Sequence, residues 1–335
     1  MIDHPGSRTA GRASRDDLEA SLAELRATAG DPAHGILGPR SIAWRLGGDL
    51  AVFVGGGRAA LLQLAHPFVA QAISDHSRTR ADVAGRFQRT FRNVFAMAFG
   101  DLDDAFEAAR RVHAIHARIH GVLPVAVGAY AANTPYHAND IDSLRWVHAT
   151  LVDTVVVVRE RLAGPLDARE RDAFVREQNR FARLFAIPSA VLPRDWSDHR
   201  AYMRDMVAGD RLAVSPHARE MAAFLFGDGR VPLGRVVASI TAELLPPRLV
   251  REFELARRPA VARVALAAFG AMSRALPGAL TALPAHRDAR RRLVGKPPSR
   301  IAAWTERQLF GLARQTAGAP ARGPSGSSSG RARSA

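Results

Sequence analysis

A single helical period runs through almost the whole body of this chain and restricts it to an all-α fold. Between residues 81 and 276 apolar residues recur every three or four positions, and glycine or proline interrupts them where one helix would end and another begin. The strongest competing strand signal is Val155 to Val158, because β-branched residues favour strands. This run continues a helical pattern from Trp146, so it is interpreted as helix. The pattern predicts an all-α protein with a single large helical domain.

The two ends of the chain differ from this body. Residues 1–34 are predicted to form a flexible lead-in that holds one short helix, Arg15 to Thr28. Residues 35–316 form the helical domain, in which no linker is long enough to divide the chain. Residues 317–335 are rich in glycine, serine, proline and arginine, and we expect them to be disordered because they cannot bury enough apolar surface.

Composition excludes several classes of function. The 335 residues include no cysteine, so disulfides, thiolate metal ligands and cysteine nucleophiles are ruled out. The net charge is +15, but the arginines are scattered along the helices, without a helix-turn-helix signature or an aromatic ladder. Such a charge indicates non-specific attraction to anionic surfaces and no specific nucleic-acid partner. No signal peptide is visible, and a cytoplasmic location is expected.

Two apolar stretches could suggest a membrane span. Leu50 to Ile73 is interrupted by a glycine run and a His-Pro step, and Ala260 to Leu283 contains Arg263, Arg274 and Pro277. Neither gives the uninterrupted run of about 20 apolar residues that a bilayer crossing needs. We interpret both as core helices, and peripheral contact with a membrane stays open.

The helix predicted from Asp101 to His120 carries the best candidate chemistry. His113, His116 and His120 follow steps of three and four residues and adjoin an apolar stripe, so their rings should lie at the edge of the core. A neutral imidazole is a good ligand for iron or zinc, and one such helix can supply the axial ligand of a haem. Hydrogen-bonded structural histidines are the alternative interpretation.

The preceding helix, predicted from Ala81 to Phe99, adds polar groups. Arg86, Arg89, Thr90 and Asn93 lie beside its phenylalanine face at steps of three and four residues. Guanidinium and hydroxyl groups that border an apolar face suit a carboxylate, a propionate or a dioxygen species. A solvated arginine face is the alternative.

Several segments, taken in order along the chain, resemble the MpaB/rubber-oxygenase catalytic-domain family. They are GPRSIAWRLGGDLAVFVGGGRAALLQLAHPFVAQAISDHS (38–77), RFQRTFRNVFAMAFG (86–100), ARRVHAIHARIHG (109–121), SLRWVHATLVDT (143–154) and PLDARERDAFVREQNRFARLFAIPSAVLP (165–193). The resemblance covers roughly residues 35–250.

This resemblance implies a globin-like helical sandwich with extra helices around haem b. It implies a haem-dependent oxygenase, an oxidoreductase that uses dioxygen on a hydrophobic, isoprenoid-type substrate, since the family includes a haem b enzyme that cleaves polyisoprene. The histidine that closes the family's R-V-x-x-x-H segment matches His116, the implied proximal iron ligand, with His113 as the fallback. The family's arginine and threonine near the distal side match Arg86 and Thr90.

One departure from the family bears on the distal side. In the rubber-cleaving relative a lysine precedes the threonine and can occupy the sixth iron position, whereas this chain has Arg89, which stays protonated and offers no lone pair. Ala70 and Gln71 stand where an acidic base would be sought. His66 and His148 are interpreted as structural or pocket-lining residues.

Two functions of other classes stay open beside the oxygenase. One is a haem-binding or sensor protein without turnover. The other is a helical peripheral-membrane scaffold in which the histidines are structural.

Overall fold

The computed structural model describes residues 11–76, 83–227 and 232–297, apart from the side chains of residues 83–89, 232 and 279. The helices are α1 (Arg15–Ala27), α2 (Ile42–Gly47), α3 (Gly56–Leu64), α4 (Pro67–His76), α5 (Val83–Phe99), α6 (Leu102–His116), α7 (Ile141–Ala163), α8 (Ala168–Ala182), α9 (Trp196–Ala208), α10 (Pro216–Leu225), α11 (Pro232–Leu244), α12 (Pro247–Glu252), α13 (Pro259–Ala275), α14 (Gly278–Thr281) and α15 (Pro284–Leu293). Strands β1 (His120–Val122) and β2 (Pro135–His137) form a small antiparallel sheet.

The all-α prediction is therefore confirmed, and the globin-like arrangement stays a prediction. The valine run that competes as a strand lies inside α7. The helical pattern, which ends at residue 276, missed α14 and α15, and it also missed the pair of short strands, each three residues long.

Local sequence sets where most of these helices begin. Within the described residues, seven α-helices start after a serine or aspartate whose side chain accepts a hydrogen bond from the backbone N–H three residues later, which satisfies a donor that the helix cannot. These caps are Ser14, Ser41, Asp101, Asp140, Asp167, Asp195 and Ser215. Proline stands in the first turn of α10, α12, α13 and α15, where its missing N–H costs nothing.

Helix α7 is the central element of the core. It packs against α2, α3, α8, α9 and α13. Its Trp146 is fully buried and donates a hydrogen bond from Nε1 to the Leu62 carbonyl oxygen at 2.9 Å. An indole needs such a partner when it is buried. The polar residues of α7 are consequently held at fixed positions inside the protein.

The glycine run before α3 lets that helix approach its neighbours closely. A Cβ atom on Gly55 would collide with the side chain of Thr154 on α7, and one on Gly57 would collide with Thr241 on α11. Gly55 and Gly57 therefore allow close packing of the α3 N-terminus, whereas a Cβ on Gly56 would meet no neighbour.

The lead-in expected to be flexible is packed in its described part. Leu18, Leu22 and Leu25 of α1 are buried in the same core cluster as the apolar face of α6. Upstream of α1, the Ala13 N–H donates to the Asn139 carbonyl oxygen at 2.9 Å. The described part of this segment therefore packs against the domain core, and the division of the chain at residues 34 and 316 stays a prediction.

The C-terminal predictions fall beyond this description. The last part of the predicted helical domain, residues 298–316, and the tail at residues 317–335 lie outside the described residues. Within the three described ranges, none of the helices has both the length and the apolar character required to cross a bilayer.

Leu22→Ala should lower the free energy of unfolding by about 2–5 kcal/mol, because it leaves a cavity where a leucine with 1% exposure fills the core. Ala23→Gln, on the exposed side of the same helix, should change it by no more than about 0.5 kcal/mol. Urea denaturation followed by circular dichroism measures both, and equal midpoints would show that α1 does not contribute to the core.

Candidate functional site

Helix α6 begins where the sequence predicts and ends earlier. Asp101 accepts a hydrogen bond from the Asp104 N–H at 2.8 Å, as expected of its cap. The helix ends at His116, and the Ala117 N–H closes its last turn on the His113 carbonyl oxygen at 2.9 Å. The predicted extension to His120 is therefore wrong.

His120 instead begins β1 and stands opposite His137 of β2. The two imidazoles stack with their centroids 6.0 Å apart and their planes 10° apart. Next to them, Gly121 faces Tyr136, and a Cβ on this glycine would lie 2.7 Å from the Tyr136 Oη. The glycine read as a helix stop thus allows two strands to pair closely.

His116 is the histidine of α6 whose ring is best placed to bind a ligand. Its Nδ1 is buried and has no hydrogen-bond partner among the described residues. Burial lowers the pKa of His116 to about 4, against an interaction with Asn139 that raises it, and the nearby His113 and His137 lower it further. Carbonyl groups at the end of a helix favour a cation, but desolvation outweighs them here. The ring is neutral at pH 7 and keeps a lone pair.

Asn139 organises the surroundings of this ring. Its Nδ2 donates to the His113 carbonyl oxygen at 3.3 Å, and its backbone N–H donates to the His137 Nδ1 at 2.9 Å. His113 itself is half-buried, and its pKa is lowered by burial and by the positive charges of Arg12 and Arg15. Buried Asn139 thus ties the end of α6 to β2.

The structure brings together His113, His116 and His137, and leaves His120 exposed. Sequence reasoning missed His137 and Asn139, because they lie in the aperiodic stretch between α6 and α7. No group of three or more His, Asp or Glu side chains able to hold a metal ion is found within the described residues.

The distal candidates lie on α5, which packs against α6. The side chains of Arg86 and Arg89 lie outside the described residues, and Thr90 is exposed on the same helix. Downstream, Phe95 and Phe99 are buried, and Phe99 makes an edge-to-face contact with Trp44 at 5.3 Å. The predicted phenylalanine face is consequently part of the core. The roles of Arg86, Arg89 and Thr90 stay predictions.

A second polar centre, which the sequence reading missed, is buried at the heart of the fold. The guanidinium of Arg58 on α3 donates from Nη2 to the Asp153 Oδ2 at 2.6 Å and from Nη1 to the Thr154 Oγ1 at 2.7 Å. Its Nε donates to the Leu244 carbonyl oxygen at 2.8 Å. Both charged side chains are less than a tenth exposed. The amino-acid sequence signals this centre through one arginine and one aspartate that lie inside otherwise apolar helical segments.

Two histidines adjoin this ion pair. The Nε2 of His199 lies 3.4 Å from the Asp153 Oδ1, and its ring stacks on Trp196 at 5.0 Å. His148 is near His199, and its Nε2 is buried without a hydrogen-bond partner among the described residues. Burial, followed by the neighbouring His199, lowers the pKa of His148 to about 3. His148 is therefore a neutral core residue.

His66 is also a core residue. It is buried, and its ring packs against Phe68 and Tyr130, with centroids 5.5 and 5.8 Å away. The Tyr130 Oη lies 3.4 Å from its Nε2. These contacts agree with a structural role.

Comparison with known protein families gives one match to this chain. The family model for the catalytic domain described as ER-bound oxygenase mpaB/B'/rubber oxygenase matches residues 44–275. The match includes α6, both strands, α7 and the Arg58 centre. In the same comparisons no curated protein and no solved structure matches the chain.

The low pKa of His148 should make the protein less stable in acid. Between its folded pKa of about 3 and its ordinary value of 6.5 the unfolded chain binds the extra proton, so stability falls as the pH falls through that range. His148→Leu should reduce this slope by about 1.4 kcal/mol per pH unit near pH 5. His217→Leu, at an exposed position, should leave the slope unchanged. Chemical denaturation at several pH values measures it, and equal slopes in both variants would contradict the assignment.

Proposed function

The chain belongs to the mpaB/rubber-oxygenase catalytic-domain family, and from that premise we propose that it is a haem b-dependent oxygenase that uses dioxygen on a hydrophobic substrate. The family match makes it an oxygenase-type oxidoreductase domain. The haem, the isoprenoid character of the substrate and the residue roles are our proposal. The observation that carries it is the buried, unpartnered Nδ1 of His116.

His116 would hold the haem. A haem needs one imidazole from the protein and not a cluster of ligands. The ring must be neutral to donate a lone pair, and a pKa of about 4 meets this condition. Asn139 would restrain the ring, as groups around metal-bound histidines commonly do. His113 is the fallback ligand, although its ring is less buried and it lies about one turn before His116 on α6.

The polar residues of α5 would bind and orient the polar reactant. Arg86 offers a permanent positive charge with directional donors, and Thr90 offers a hydroxyl donor. Both can orient dioxygen or a charged group next to an apolar face. Arg89 adds charge but cannot act as an iron ligand, because guanidinium keeps its proton at any accessible pH.

When bound, haem b would supply the iron chemistry that activates dioxygen. The protein would bind an apolar substrate beside it and exclude water. The name of the matching family includes rubber oxygenase, which supports an isoprenoid substrate class. Oxygen consumption on addition of a polyisoprene or a farnesyl compound tests turnover. A protein that retains haem but consumes no oxygen with any alkene would be a haem-binding or sensor protein.

His116→Ala should abolish haem retention, because it removes the proposed axial nitrogen. The protein is expressed with a haem precursor, and the Soret absorbance per protein is measured after gel filtration. His120→Ala is the matched control: it removes an exposed imidazole four residues away and should keep haem binding. An unchanged Soret band and stoichiometry in His116→Ala would exclude this ligand, and loss in His113→Ala alone would select the fallback.

The wild-type ferric protein should be five-coordinate or water-ligated, since Arg89 offers no lone pair. Arg89→Lys introduces a possible donor and should slow cyanide binding, whereas Arg92→Lys, at an exposed position of the same helix, should not. Electron paramagnetic resonance and stopped-flow absorbance provide the measurements. A low-spin signal with two nitrogen ligands in the wild type would show that another side chain fills the sixth position.

A further inference from the structure

Helix α13 presents an apolar face to solvent. Val264 is 71% exposed and Met272 is 48% exposed, whereas Ala262, Leu266 and Gly270 are buried on the opposite side. At 100° per residue the exposed apolar positions fill one continuous side of the helix. These positions include Val261, Val264, Ala268, Ala271, Met272 and Ala275. The face continues into α14, where Leu280 is 59% exposed.

The charges around this face all have one sign. From Leu255 to Arg287 the sequence contains no aspartate or glutamate. Arg257 and Arg258 precede the helix and are exposed. Arg263 and Arg274 lie along the border between the buried side and the apolar face. The charged residues of this segment, between Glu254 and Asp288, are therefore all positive.

This charge pattern selects the partner. If two copies paired antiparallel through α13, Arg263 of one copy would lie near Arg274 of the other, and no acidic residue on either helix could compensate. The phosphates of an anionic lipid surface would compensate Arg257, Arg258 and Arg263, whereas Arg274 donates from Nη1 to the Leu162 carbonyl oxygen at 2.9 Å. The adjacent acyl region would receive the valines and Met272. The face therefore fits an anionic bilayer better than a second copy.

We propose that α13 is a membrane-docking helix that lies in the plane of an anionic phospholipid surface with its apolar side in the acyl boundary. Arg263 and Arg274 lie within the helix, so its axis is parallel to the bilayer, and Arg263 reaches the headgroups. The docking does not depend on the proposed haem or on turnover.

The test uses the full-length protein and vesicles of phosphatidylcholine, with or without phosphatidylglycerol. Co-sedimentation should show binding to the anionic vesicles that weakens as salt is added. Val264→Glu should weaken it by about tenfold or more, because a charge replaces an apolar side chain in the acyl boundary. Replacing Arg257 and Arg258 with glutamine should weaken binding by about fivefold per arginine.

Val125→Glu is the matched control, since Val125 is 57% exposed and the substitution changes the net charge equally. It should bind vesicles like the wild type. Equal losses in the two glutamate variants would show general charge attraction and overturn the proposal. So would the absence of binding by the wild type.

Two further measurements separate the other occupants of this face. Val264→Glu should leave the oligomeric state in analytical ultracentrifugation and the unfolding temperature unchanged, because Val264 contacts little else. A dimer that becomes a monomer would identify a second copy as the partner. A marked loss of thermal stability without vesicles would show that another part of the chain covers α13. Either result would overturn the membrane assignment.

Discussion

The ion pair between Arg58 and Asp153 is the interaction on which the arrangement of the helices depends. Burying two charges costs several kcal/mol of desolvation free energy for each ion, and this cost is comparable to the whole free energy of unfolding of a domain. Hydrogen bonds to the buried charges are needed to offset it. Each of the three Arg58 guanidinium nitrogens donates a hydrogen bond, to Asp153, Thr154 and the Leu244 carbonyl oxygen. These acceptors lie on α7 and at the end of α11, so only one placement of α3 satisfies the guanidinium. The pair therefore specifies how α3, α7 and α11 fit together, in addition to any stability it contributes.

The central helix carries this constraint to the candidate site. Asp140 caps the N-terminus of α7, and the residue before it is Asn139, which holds the end of α6 and strand β2. The middle of the same helix holds Asp153 and His148 in the core. Because a packed helix transmits position along its length, the anchor at Asp153 also fixes where Asn139 meets His116. The surroundings of the proposed ligand thus depend on packing more than ten residues away.

Sequence alone predicted the parts of this structure that follow a period or a local signal. Most of the helices, and the helical state of the α7 valine run, depend on neighbours within four residues. The hairpin was missed because Gly121 acts through Tyr136, fifteen residues on, and a helix stop uses the same residue type. The packing of α1 was missed because an amphipathic helix near a terminus does not reveal its partner. His116 was found by spacing and by resemblance, but its unpartnered nitrogen and its neighbour Asn139 depend on a tertiary contact that no periodicity encodes.

His116 and His148 each have a buried ring nitrogen without a hydrogen-bond partner among the residues described, and they cannot serve the same purpose. His148 lies between α7 and α9 beside His199 and the Arg58–Asp153 pair. A planar group the size of a haem could enter there only by separating these helices and breaking a buried ion pair. His116 is the last residue of α6, and the residues after it, Ala117 and Arg118, are exposed. The end of α6 therefore lies near the surface, away from the central packing. Position in the fold, and not pKa, distinguishes the proposed ligand from the structural histidine.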